Sequence, residues 1–205
     1  MELYELYIDE NLNDKSGVDD ISTVDSPAIG DGYFAFNSQK NLKRLKLTFG
    51  NQKGDFQPVE GDKQILMGAL MIPNLEIYRV NEEGKEYNVS FPPSEIAKIQ
   101  RKFKMLGYNT NINEMHDPNN RIDNSVMFQD YIVDRAMGLM PPKGKEYLPD
   151  GTWIGFVYIG DKDVWQNFIK TGIYRGFSIG GRFYDRKVRG LSDEDVTSLV
   201  KILKD

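Results

Sequence analysis

Tyr174-Arg175-Gly176-Phe177-Ser178-Ile179-Gly180-Gly181 sets one small hydroxyl among glycines, just after a helical pattern that stops at Gly172. A serine hydroxyl is a weak nucleophile until a neighbouring base takes its proton. Glycines on either side let a substrate backbone approach and leave the amides unhindered. The chain of 205 residues has a single histidine, His116, and no cysteine. If Ser178 is a nucleophile, its base is therefore His116. The residues alone leave a second reading open, in which Ser178 is a small residue of a glycine-rich strand and His116 a surface loop residue beside Asp117-Pro118.

Outward from that stretch, Asp161 to Lys170 carries Val164, Trp165, Phe168 and Ile169 on one face, which predicts a helix stopped by Gly172. Ile173 to Tyr184 reads as the strand that holds Ser178, and Ser192 as the cap of a last helix bearing Val196, Leu199, Val200 and Leu203. Upstream, Gly151 to Ile159 and Val126 to Val133 read as strands, with residues 135–150 as a loop and His116 in another. Pro92-Pro93-Ser94-Glu95 opens a helix over about 93–106, with Ser94 as cap and Ile96, Ile99, Phe103 and Leu106 at helical spacing. Before it, the chain reads mostly as strand. Segments 2–9, 19–28, 33–36, 43–49, 65–72, 75–80 and 87–91 are short, rich in aromatic or β-branched residues and separated by turn formers. Lys40 to Lys46, basic but alternating with leucines, reads as a half-exposed strand.

Composition excludes several function classes. Without cysteine there is no structural disulfide, thiolate catalysis or cysteine zinc site, and one histidine makes a His-rich metal centre untenable, so no cofactor is expected. Twenty-six basic against thirty-one acidic residues give a net charge of −5, which argues against nucleic acid as partner. The start of the chain has no basic region followed by an apolar stretch, and the longest apolar run, Ile65 to Ile72, is too short to span a bilayer, so neither a signal peptide nor a membrane is expected. At this length one domain over residues 1–205 suffices, with a β-rich portion (about 1–91) and a portion holding the candidate motifs (about 92–205).

From about residue 76 to 184 the chain resembles the prohead maturation (capsid assembly) serine proteases of tailed bacteriophages, which share their fold with the herpesvirus assembly protease. The resemblance rests on His116, the Val126–Val133 strand with its acidic residue, Gly151-Thr152-Trp153, Val164-Trp165 through Lys170-Thr171-Gly172, and Gly176-Phe177-Ser178-Ile179-Gly180-Gly181. Ile21-Ser22-Thr23-Val24-Asp25-Ser26-Pro27-Ala28 is similar to a segment that many relatives carry after the nucleophile and one branch carries at the N-terminus. The resemblance implies an α+β fold, a small, mostly antiparallel β-barrel surrounded by helices. It implies Ser178 as nucleophile and His116 as general base of a serine endopeptidase that cleaves scaffold or major capsid proteins during procapsid maturation, inside the procapsid in the host cytoplasm. It leaves self-cleavage and homo-oligomerisation open.

The orienting carboxylate is less determined. Asp130, held on a strand after His116, is the first choice, and Asp20, just before the Ile-Ser segment, is the alternative. Asp117 and Glu114 flank His116 and read as solvated loop charges. For the oxyanion, the backbone amides of Ile179, Gly180 and Gly181 and the Arg182 guanidinium are candidates, while Arg175 reads as a surface charge. Trp153 and Trp165 read as core anchors, each in an apolar periodic segment. The opposing function class is a capsid-associated or scaffold-like protein that keeps the protease fold without turnover. A small-ester hydrolase is a third class, distinguished by a closed apolar pocket in place of an open groove.

Overall fold

The computed structural model of the protein describes residues 1–32, 34–36 and 63–188. The strand expected at 43–49, the basic stretch Lys40 to Lys46 and the helix after Ser192 lie outside these residues. Three four-stranded sheets make up the described fold. The first has the order β12 (Tyr184–Lys187), β1 (Glu2–Tyr7), β6 (Glu86–Ser90), β5 (Ile77–Val80). The second runs β3 (Phe34–Phe36), β4 (Ile65–Met71), β10 (Trp153–Tyr158), β9 (Val126–Ile132). The third, which holds Ser178, runs β11 (Gly176–Arg182), β2 (Gly17–Val24), β7 (Ile112–Glu114), β8 (Asp117–Arg121).

This corrects the expected architecture. Each sheet is open, ending in two edge strands, and there is no closed barrel and no ring of helices among the described residues. The physical reason is visible in the apolar periodicity. Among the described residues helical spacing is sustained only over 96–103 and 164–169, and elsewhere buried residues fall in short extended runs such as Ile65–Met71. The one long helix among the described residues, α1 (Pro93–Met105), buries Ile96, Ile99 and Phe103. Its N-cap is Pro92 in an extended conformation, without a side-chain cap, so Ser94 lies inside the helix and not at its cap. The second helical stretch starts at Asp161, whose carboxylate accepts from the amides of Asp163 and Val164, and opens after Val164 into a wider turn over Trp165–Ile169 in which Lys170 N–H donates to Trp165 O. Gly172, at φ 75, ends it.

Trp153, Trp165, Phe103 and Phe177 are almost wholly buried and share one apolar cluster with Ile21, Ile96, Ile99 and Ile112. Both tryptophans are thus core anchors. Two buried ammonium groups tie loops to this core. Lys102 of α1 donates to the carbonyls of Asp9 at 2.6 Å and Asp14 at 3.0 Å, closing the loop between β1 and β2. Lys145 donates to both oxygens of Asp31 at 2.7 Å, and Tyr147 donates to the same carboxylate, fastening the loop after β9 onto the turn that follows β2. Burial pushes the Lys145 ammonium below its ordinary range against the pull of Asp31, and burial with that carboxylate pushes the Tyr147 hydroxyl up.

Candidate functional site

Ser178 lies in the middle of β11, antiparallel to β2, with Ser22 as its direct partner. On the other side of β2, Ser22 pairs in parallel register with Asn113 of β7. Paired residues on adjacent strands project from the same face, with Cβ atoms about 4.5–5.5 Å apart. Ser178, Ser22 and Asn113 therefore form one polar row across three strands. The opposite face of those strands carries Phe177, Ile179, Ile21 and Ile112 into the core.

His116 reaches this row from a tight hairpin. β7 and β8 close at the pair Glu114 and Asp117, so the loop is Met115-His116 alone. Both residues have positive φ, 52° and 61°, as a type I′ turn requires. Side chains with a Cβ pay for this conformation; His is among the residues that adopt it more readily, and Met is not. The strained turn sends the imidazole back over β2, where Nδ1 lies 3.1 Å from Ser22 Oγ. Ser22 is fully buried, and its Oγ also contacts the Asn113 side-chain amide and lies 3.2 Å from Asp20 Oδ1. Ser178 is half-buried. A cavity of about 520 Å³ meets β11 mainly at Phe177, Ile179 and Gly181, on the face away from the polar row, and none of Ser22, Asn113 and His116 lines it.

His116 and Ser178 thus come to one face, with Ser22 between them, and the hydroxyl that touches the imidazole is that of Ser22. Asp20 joins the group two residues before Ser22, on the same side of β2. Asp130 does not join it. Its carboxylate accepts from Gln100 Nε2 at 2.8 Å and Trp153 Nε1 at 3.0 Å and pairs with Lys104 Nζ at 2.5 Å, which binds β9 to α1 and β10. Glu114 is buried and accepts from Tyr174 OH at 2.8 Å. Burial first, then this carboxylate, pushes the Tyr174 hydroxyl up to about 12. Asp117 is exposed, and its carboxylate accepts from the Asn119 amide.

The oxyanion candidates are placed less favourably. A bulge interrupts the β11–β2 ladder between Gly180 and Gly181, with Asp19 as the extra residue. A Cβ on Gly180 would come within 2.5 and 2.7 Å of the two Asp20 oxygens, and one on Gly181 within 2.1 Å of Gly17 O. Both glycines are therefore required by close approach. The carboxylate over Gly180 would repel an oxyanion there. Arg182 turns to Asp19 at 3.1 Å; the Ile179 side chain packs against the core, which leaves its backbone amide a candidate. Arg175 is exposed. Among the described residues no group of three or more His, Asp or Glu side chains is arranged to hold a metal ion.

Residues 56–185 match the model of the family described as "Putative phage serine protease XkdF". The chain belongs to this family. No curated protein and no solved structure matches it. The match to the phage serine protease family takes in β4 through β11, and so both His116 and Ser178, but starts after β2. Asp20 and Ser22 lie outside the matched residues. Sequence reasoning gave Ser22 and Asn113 no role. Asp20 and Ser22 stand at a spacing of two, but Val18 and Val24 share their parity and the alternate positions hold Asp19 and Thr23 beside Ile21, so no clean alternation marked Ser22. Asn113 had no signal either, because β7 is only three residues long.

Proposed function

We propose that this chain is a serine endopeptidase of procapsid maturation, with Ser178 as nucleophile, His116 as general base and Asp20 as the charged member of the site. The observation that carries this reading is the register of the third sheet, which sets Ser178 beside the one hydroxyl that the only histidine engages. Ser178 Oγ attacks the scissile carbonyl carbon while its proton passes to His116 Nε2. The same proton then goes to the leaving amine as the C–N bond breaks, and water, activated by the freed Nε2, hydrolyses the acyl-serine. The substrates are scaffold and capsid proteins of the assembling particle, met inside the procapsid.

A rival follows from one contact: Ser22, and not Ser178, is hydrogen-bonded to His116. Against Ser22 as nucleophile stands its complete burial, which denies a peptide carbonyl access, whereas Ser178 is only half-buried. The test is co-expression with the capsid and scaffold proteins of the same phage, comparing native protein with Ser178→Ala, His116→Ala and Ser22→Ala, alongside a fluorophosphonate probe and mapping of the labelled serine. Label on Ser178, with processing lost in Ser178→Ala and His116→Ala, supports the proposal. Label on Ser22 transfers the role. Processing that continues undiminished in all three variants leaves a capsid-associated protein without chemistry.

A further inference from the structure

The Ser22 oxygen has three polar neighbours: His116 Nδ1 at 3.1 Å, Asp20 Oδ1 at 3.2 Å and the Asn113 amide in closer contact. A hydroxyl has one proton to donate and two lone pairs that accept, so one neighbour receives and two must give. An ionised Asp20 can only receive. Asn113 presents Oδ1 to Ser22, and turning its amide by half a rotation puts the Nδ2 donor in the same place. His116 can give only if Nδ1 carries hydrogen. A single assignment then turns all three contacts into hydrogen bonds: Ser22 O–H to Asp20, and both Asn113 Nδ2–H and His116 Nδ1–H to Ser22 Oγ.

We infer that Ser22 is a positioning residue, which carries the charge of Asp20 to His116 and fixes the imidazole with hydrogen on Nδ1 and a free lone pair on Nε2. The proposal deepens the endopeptidase reading, on which its kinetic consequence rests. A carboxylate bonded directly to the imidazole is replaced here by a carboxylate acting through a buried hydroxyl. When Nε2 takes the proton of Ser178, positive charge spreads to Nδ1, and its bond to Ser22 strengthens because Asp20 already draws the hydroxyl proton away from the oxygen. The complete burial of Ser22 keeps water from competing for these bonds. Gly180 belongs to the same device, since its bare backbone is what leaves room for the Asp20 carboxylate.

The tautomer can be read without any turnover. His116 is the only histidine, so the imidazole signals of ¹⁵N-labelled full-length protein are unambiguous. The neutral ring of the native protein should show Nδ1 as the protonated nitrogen and Nε2 as the bare one. Ser22→Ala should move the population towards hydrogen on Nε2, and Ser22→Thr, which keeps the hydroxyl, should restore the native pattern. In the cleavage assay Ser22→Ala should lower the rate per folded molecule about 10²-fold, within the ~10⁴ loss that a wrong tautomer causes in a serine protease, and Ser22→Thr should recover most of it. Native protein with hydrogen on Nε2 overturns the inference, and that measurement stands even if a variant fails to fold. An unchanged tautomer in a folded Ser22→Ala variant overturns it equally. A chain that shows the expected tautomer but cleaves nothing refutes the endopeptidase reading and leaves the Asp20–Ser22–His116 relay intact.

Discussion

Asp130→Asn separates a structural carboxylate from a catalytic one. The Asp130 side chain is 3% exposed and takes two neutral donors on Oδ2, Gln100 and Trp153, and the Lys104 ammonium on Oδ1. An asparagine placed with its oxygen towards Gln100 and Trp153 keeps both of those bonds and turns an NH₂ towards Lys104. The loss is then one charge-assisted hydrogen bond, about 1.5–3 kcal/mol. Because Lys104 is 41% exposed and can swing into water, the lower half of that range applies. Asp130→Ala is harsher, since it strands Trp153 Nε1 without a partner in the core, and should cost about 3–5 kcal/mol. For a chain of this size ~2 kcal/mol corresponds to a melting point lower by roughly 4–8 °C. Thermal melts followed by circular dichroism, with initial cleavage rates corrected for folded fraction, decide the matter. We expect Asp130→Asn to melt earlier and to cleave at the native rate per folded molecule. An unchanged melting point with a rate lower by about 10⁴-fold would instead make Asp130 the partner of His116.

Gly180→Ala should force the Asp20 carboxylate away from Ser22 and lower cleavage about 10²-fold, the scale of a 1 Å misplacement, with a melting point near native; undiminished cleavage would remove Asp20 from the site. Met115→Asn should stabilise the hairpin by about 1 kcal/mol, because asparagine tolerates the positive φ that Met115 is held in, and a lower denaturation midpoint would show that the half-exposed methionine contributes packing. Thr23 Oγ1 is buried without a hydrogen-bond partner among the described residues, so Thr23→Val should raise stability by about 1 kcal/mol, and a loss would show that the hydroxyl is satisfied. The Tyr174 hydroxyl, raised from 10 to about 12, favours folding below pH 10 and loses that contribution as pH rises from 10 towards 12. In ¹³C-tyrosine spectra one ring should titrate near 12 and shift down in Glu114→Gln, and a ring at the ordinary value refutes the buried pair.

The legible parts of this fold were those written in local periodicity. Ile96, Ile99 and Phe103 announce α1, and the runs at 65–71, 126–132 and 153–158 become strands close to their expected bounds. Ser178 and His116 stood out by rarity and by neighbouring glycines. The hairpin that aims His116 was illegible because Met-His is not the Asn-Gly or Asp-Gly pair that normally marks a two-residue turn. The strand expected over 173–184 contains β11, and β12, which starts at its last residue and joins a different sheet, has no stronger signal than Phe183 between them. The part played by Asp130 depends on Gln100, Lys104 and Trp153, which come from a helix before it and a strand after it, and no spacing rule connects them. Closure into a barrel was likewise a question of long-range pairing, and among the described residues each edge of the three sheets stays open.

The core, more than the polar row, sets the geometry of the site. Ile21, Ile112 and Phe177 sit next to Ser22, Asn113 and Ser178 in sequence, point to the opposite face and are at most 1% exposed. A slip of one residue in any of the three strands would put these side chains among the polar row and bring Ser22, Asn113 or Ser178 into the apolar cluster. Burying each apolar side chain is worth roughly 1.5–3 kcal/mol, against about 1 kcal/mol for an ordinary hydrogen bond of the row. The register is therefore held from beneath, by residues that take no part in the chemistry. Ser22, Asn113 and Ser178 can be exchanged one at a time for residues of similar size without moving the strands, whereas Ile21→Ala, which opens a cavity under Ser22, should disturb the fold and the site together.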